Sequence, residues 1–177
     1  MLLPFAAAIA AAAQPPGIEI IASGSFSAAP PSGWQAPAPG QNTLADIVER
    51  PLPALLAAGP EIVARPCAVF GLEYRLAGAW PPVLRVQVDH PPITAPDGRR
   101  AEQESYSVPT GPDVRFVGFA FDEPWEMAPG RWRIALFEGG RELAEETFVV
   151  TVPPGVAGRS CQGIPAARGG GRAIDPV

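Results

Sequence analysis

Proline and glycine punctuate this chain so densely that a fold built from long helices is excluded. The 177 residues include 24 Pro and 19 Gly. In a helix interior each Pro costs ~3 kcal/mol and each Gly ~1 kcal/mol relative to Ala. Together they make roughly a quarter of the chain, just under the ~25–30% at which unpatterned Pro and Gly point to disorder. Leu, Ile, Val and Phe also make roughly a quarter, above the ~20% floor for a folding chain. One domain with a real but modest core follows.

The punctuation is uneven. It concentrates in 28–41, in 51–60 and in 153–177, and elsewhere falls at the ends of apolar, alternating runs. Residues 17–26 form a β-rich run, 28–41 a loop, and 42–50 a strand or a short helix. Residues 52–58 read as one or two helical turns closed by Gly59-Pro60. From residue 61 the signal is a period of two, which puts alternate side chains on opposite faces of a strand. Phe70, Leu72, Tyr74 and Leu76 share one parity, as do Leu84, Val86 and Val88, in a run that Pro91-Pro92 is expected to stop. Residues 102–108 form a polar strand placed at an edge. Val117, Phe119 and Phe121, then Trp132, Ile134 and Leu136, then Phe148, Val150 and Val152 complete the inward sets. Asp97-Gly98, Pro129-Gly130 and Gly139-Gly140 mark turns, the last a two-residue hairpin. The expected fold is all-β: a single antiparallel, immunoglobulin-like β-sandwich of about seven to eight strands over 17–152. Residues 153–177 are read as a mostly disordered Pro/Gly-rich tail.

The termini suggest a compartment. Residues 1–13, MLLPFAAAIAAAA, are apolar and uncharged, too short to span a bilayer, and end in an Ala-x-Ala site. They read as a secretory signal peptide, so an exported, periplasmic or secreted protein is expected. A buried helix is the alternative, disfavoured by Pro15-Pro16. No later run is long and apolar enough to cross a membrane. Cys67 and Cys161 are the two cysteines. Export favours a disulfide between them, worth about 4–5 kcal/mol for so long a loop in the chain-entropy model; two buried thiols are the alternative. The net charge is −5 and every basic residue is Arg, so no basic footprint for nucleic acid exists.

Chemistry-bearing residues are sparse. His90 is the only histidine. Its neighbour Asp89 should point to the other sheet face, which disfavours an Asp–His dyad, and its parity with Val88 suits a hydrogen-bonded histidine at the end of a core strand. Asp122, Glu123 and Glu126 cluster beside Trp125 and Trp132. Paired carboxylates could serve glycoside hydrolysis or hold Ca²⁺, and the indoles could stack on a sugar. The preferred reading is a loop whose Trp residues fill the core and whose Glu126 accepts a hydrogen bond from a backbone amide or Arg131. Gly169-Gly170-Gly171 has no strand before it, so it is no phosphate loop. One His and two distant Cys make no metal set. No catalytic, cofactor or metal residue is assigned. His90, Trp125, Glu126 and Trp132 are the candidate ligand contacts.

The order Phe70-Gly71, His90-Pro91-Pro92, Pro96-Asp97-Gly98-Arg99, Gly118-Phe119-Ala120-Phe121-Asp122, Trp125-Glu126-Met127-Ala128-Pro129-Gly130-Arg131-Trp132 and Leu143…Phe148-Val149-Val150 resembles a bacterial domain-of-unknown-function family, number 3859, found in exported proteins. The similarity covers about residues 17–152. Trp125-Glu126-x-x-Pro129-Gly130-x-Trp132 is its most specific piece. The resemblance implies a small, envelope-associated β-sandwich and no activity. The stretch 51–64 looks like an insertion relative to that pattern, and the cysteine pair is not a family feature.

The expected function is a non-enzymatic periplasmic binding or interaction module whose partner is another envelope protein or a glycan. The alternative is a glycan-acting hydrolase using the carboxylates near Glu126. A structural domain whose tail mediates assembly is a third reading.

Overall fold

The alternating runs become the strands of two sheets that share one core. The structure is a computed structural model, and it describes residues 17–28, 32–156 and 161. Among the described residues, eleven strands run in the order β1 (Gly17–Phe26), β2 (Gly33–Gln35), β3 (Ile47–Glu49), β4 (Leu55–Ala58), β5 (Glu61–Val63), β6 (Val69–Ala77), β7 (Val83–Thr94), β8 (Arg100–Pro109), β9 (Arg115–Ala120), β10 (Gly130–Glu138) and β11 (Arg141–Thr151). One sheet has the order β4-β1-β6-β9 and the other β5-β11-β10-β7-β8, with β2 and β3 forming a separate pair. The signal-like segment 1–13 and most of the 153–177 tail lie outside the described residues.

The expected parities are the buried ones. Phe70, Leu72, Tyr74 and Leu76 of β6 face Leu84, Val86 and Val88 of β7, Trp132, Ile134 and Leu136 of β10, and Phe148 and Val150 of β11 in one cluster. The sheets meet at Phe70, whose ring centroid lies 5.5 Å from that of Trp132 and 5.3 Å from that of Phe148, edge to face in both cases. Such pairs contribute about 0.5–1.5 kcal/mol beyond their burial. Gly139-Gly140 closes the β10–β11 hairpin, with Glu138 opposite Arg141 and Gly139 at φ 57°.

Four expectations need correction. Residues 55–58 are strand β4 and not helical turns, paired with β1 as Gly24↔Ala58 and Ser25↔Ala57. The space between Pro53 and Gly59-Pro60 is too short to repay helix nucleation, while an open edge of β1 offers ladder bonds at once. Pro91-Pro92 does not stop β7, which continues to Thr94. Its ladder to β8 is irregular between Asp89 and Ile93, and a proline is tolerated at such a bulge because no ladder donor is needed there. The strand count exceeds seven to eight because β2 to β5 are three or four residues long, too short for alternation to register. The sheets are also not wholly antiparallel, since β5 runs parallel to β11. Residues 51–64 contribute β4 to one sheet and β5 to the other.

A disulfide joins Cys67 to Cys161, 94 residues apart, with Cα atoms 4.9 Å apart. Cys67 N–H donates to the Phe121 carbonyl and Cys161 N–H to the Asp122 carbonyl. The bond therefore fastens the chain after β11 to the segment just before β6, and the two amide bonds set both cysteines against the end of β9.

Candidate binding cleft

The loop after β9 positions the acidic residues. Pro124–Glu126 form a 3₁₀ turn, and Glu126 folds back so that its Oε2 accepts the N–H groups of Asp122 and Glu123, each at 2.8 Å. The carboxyl is 5% exposed. Burial pushes its pKa up to about 8, opposed by the two amide bonds and reinforced by the charges of Asp122 and Glu104. Asp122 accepts Arg50 Nη2 at 2.7 and 2.8 Å, which ties the end of β3 to the end of β9.

His90 and Glu104 form a second buried polar pair. His90 Nδ1 lies 2.8 Å from the Pro91 carbonyl. A carbonyl can only accept, so Nδ1 carries a proton. His90 Nε2 lies 3.6 Å from Glu104 Oε1, too far for a hydrogen bond, and has no hydrogen-bond partner among the described residues. Glu104 Oε2 accepts the Leu44 N–H at 3.3 Å. Glu104 faces inward because β8 sets it opposite Val88, two residues from Tyr106 opposite Val86. The reading of 102–108 as a polar edge strand overlooked this residue, although its parity with Tyr106 and Val108 carried the signal.

These elements enclose a cleft of about 560 Å³ between the 42–50 segment and the edges of β8 and β9. Tyr74, Val88, Glu104, Tyr106 and Glu126 lie around its inner part. The side chain of Tyr74 is fully buried, and its hydroxyl has no hydrogen-bond partner among the described residues. The Tyr106 hydroxyl donates to the Gly118 carbonyl at 3.2 Å, and burial raises the pKa of both tyrosines. Asp46, Glu49 and Glu123 add acidic side chains towards the mouth, against Arg50 and Arg115.

The structure brings only some of the sequence-predicted contacts together. Glu126 lines the cleft. His90 stands behind Glu104, its ring 5.0 Å from that of Trp132. Trp132 is fully buried in the core, with its indole N–H donated to the Ala128 carbonyl at 2.9 Å. Trp125 packs, half-buried, against the same core. Neither indole lines the cleft. Among the described residues, no group of three or more His, Cys, Asp or Glu could hold a metal ion, and no helix is long and apolar enough to cross a membrane.

Comparison with known proteins agrees with the fold. The chain is similar to an immunoglobulin-like protein from Pseudomonas aeruginosa, at 25% identity and a TM-score of 0.56, over 80% of this chain and 100% of that one. None of the curated proteins matches this sequence. The family model described as Domain of unknown function (DUF3859) matches residues 19–150. The chain therefore belongs to the DUF3859 family, on an immunoglobulin-like, all-β fold.

Proposed function

We propose that this chain is a non-enzymatic binding module of the bacterial cell envelope, built as an immunoglobulin-like β-sandwich, and that it takes its partner in the cleft between β3, β8 and β9. The observation that carries this reading is the cleft itself. It is about 560 Å³ in volume, within the range of ordinary ligand sites, and its lining includes the buried Glu104 and Glu126 and Tyr74, whose hydroxyl has no hydrogen-bond partner among the described residues. Buried polar atoms are normally satisfied, so a partner that supplies the missing bond gains more than one bound on an open face. The Cys67–Cys161 bond supports an exported location, because disulfides persist in oxidising compartments.

The hydrolase is the second reading. Burial pushes the pKa of the Glu126 carboxyl up to about 8, the direction a general acid needs. Against it, Oε2 of the same carboxyl is engaged by two backbone amides, the arrangement of a loop staple.

The test is capture from envelope fractions by the immobilised full chain and by an Asp46→Arg/Glu49→Arg variant, with turnover assays on glycan substrates alongside. Capture by the wild type that the variant loses, without turnover, is the expected result. Turnover abolished by Glu126→Gln would replace the binding module with the hydrolase. Fractionation that left the protein in the cytoplasm with reduced thiols would overturn the location.

A further inference from the structure

We propose that the cleft is an open strand position, in which an extended polypeptide segment carrying Arg or Lys adds between β9 and β3. This rests on the reading of the cleft as the binding site and names the class of partner.

Strand β9 pairs only with β6, and β3 only with β2, among the described strands. The cleft is lined on one side by the consecutive residues 114–120 and on the other by 45–50. Alternate side chains of a strand point to opposite faces. A consecutive run therefore lines a cleft only when the strand turns its edge, and not a face, towards it. The two edges are joined at one end by Arg50 and Asp122. The other end of the 42–50 segment is anchored where Asn42 bridges Ser105 of β8.

The hydrogen-bonding parity of β9 points the same way. Phe121 exchanges bonds with Ala68 and Cys67 on the β6 side. Peptide groups alternate sides along a strand, so those of Ala120, Gly118 and Phe116 face the cleft. Two observations fit this row. The Gly118 carbonyl accepts the Tyr106 hydroxyl, and the Asp122 carbonyl accepts the backbone N–H of Cys161. A backbone N–H thus already pairs with the row's end. Addition of a strand to such an edge takes affinity from main-chain bonds and specificity from side chains. The charge selects the partner: Asp46, Glu49, Glu104 and Glu123 border the cleft, Arg50 is engaged by Asp122, and only Arg115 adds a further positive charge. Acidic walls steer a basic segment and oppose an acidic one.

The test titrates the full chain with a capped octapeptide alternating Val and Arg, followed by amide chemical shifts and calorimetry. Binding should shift the amides of Phe116, Gly118, Ala120 and residues 47–49 and slow their hydrogen exchange. The same peptide N-methylated at alternate residues keeps its charge and side chains but loses strand pairing. It should bind about threefold to tenfold more weakly for each main-chain bond lost, and a Val–Glu octapeptide should not bind. Ala120→Pro should weaken the Val–Arg peptide similarly, since a proline is tolerated where an edge N–H faces outward. Should that variant fail to fold, the N-methylated peptide carries the same test on the wild type. Equal binding of the N-methylated and unmodified peptides would overturn the strand. Peptide silence up to about millimolar concentration, with spermidine still shifting amides at Tyr74 and Glu126, would overturn the strand and leave the binding cleft. Silence of both would overturn the two together.

Discussion

His90 and Glu104 face each other inside the protein, with Nε2 3.6 Å from Oε1 and side chains 0% and 9% exposed. Nδ1 donates its proton to the Pro91 carbonyl, and Nε2 has no hydrogen-bond partner among the described residues. Glu104 also holds the Leu44 amide, which couples the 42–50 segment to the core. Glu104→Ala leaves the Leu44 N–H without its acceptor. The expected cost is about 1–3 kcal/mol, read from urea denaturation. The Asn42, Leu44 and Arg50 amides should exchange faster than in the wild type.

Glu126 predicts a pH dependence. Its pKa is pushed up to about 8 in the folded chain from the ordinary carboxyl value of 4.5. Between these values the folded state binds more protons than the unfolded one, so stability falls as pH rises. Stability should be highest below about pH 4.5 as far as this group is concerned and decline by a few kcal/mol towards pH 8. Glu126→Gln keeps an acceptor for the Asp122 and Glu123 amides and should remove that decline. Urea midpoints of both proteins across the range check it; parallel curves would refute the assignment.

The Cys67–Cys161 bond closes a loop of 94 residues. Reduction, or Cys161→Ser, should lower stability by about 4–5 kcal/mol on the chain-entropy account. The loss should appear in the unfolding midpoint. Local exchange should rise first at the amide of residue 161, whose N–H donates to the Asp122 carbonyl.

Gly71 and Gly118 sit opposite each other on β6 and β9. A Cβ on Gly71 would lie 2.2 Å from the Val117 carbonyl oxygen and 2.6 Å from the Gly118 Cα. Both are backbone atoms, so the strands must part to admit it. Gly71→Ala should destabilise by about 2–4 kcal/mol, whereas Gly140→Ala, with open space around it, should cost far less. Thermal melts of the two variants give the comparison.

Much of this molecule was legible along the chain. Strands 69–77, 130–138 and 141–151 follow from alternation and from Gly139-Gly140, because a period of two and a tight turn are local properties. The inward set around Phe70, Trp132 and Phe148 follows from the same parity. The short strands β2 to β5 were not legible. Three or four residues carry no period; β4 and β5 are strands because an open edge of β1 or β11 lies alongside, and β2 and β3 because they pair with each other.

The cleft divides the same way. Glu126 drew notice beside two tryptophans, yet both indoles belong to the core and the residues that join Glu126 come from elsewhere in the chain. Tyr74 is on β6, Glu104 and Tyr106 on β8, and Arg50 after β3. What the sequence by itself determined was the all-β class, the inward parities, the turns and the family pattern, all of which rest on neighbours in the chain. Only the tertiary structure decided that the edges of β3 and β9 face one another across an acidic cleft. That arrangement depends on contacts between residues some 70 positions apart, such as Arg50 with Asp122 (|i−j| = 72), and no local pattern encodes them.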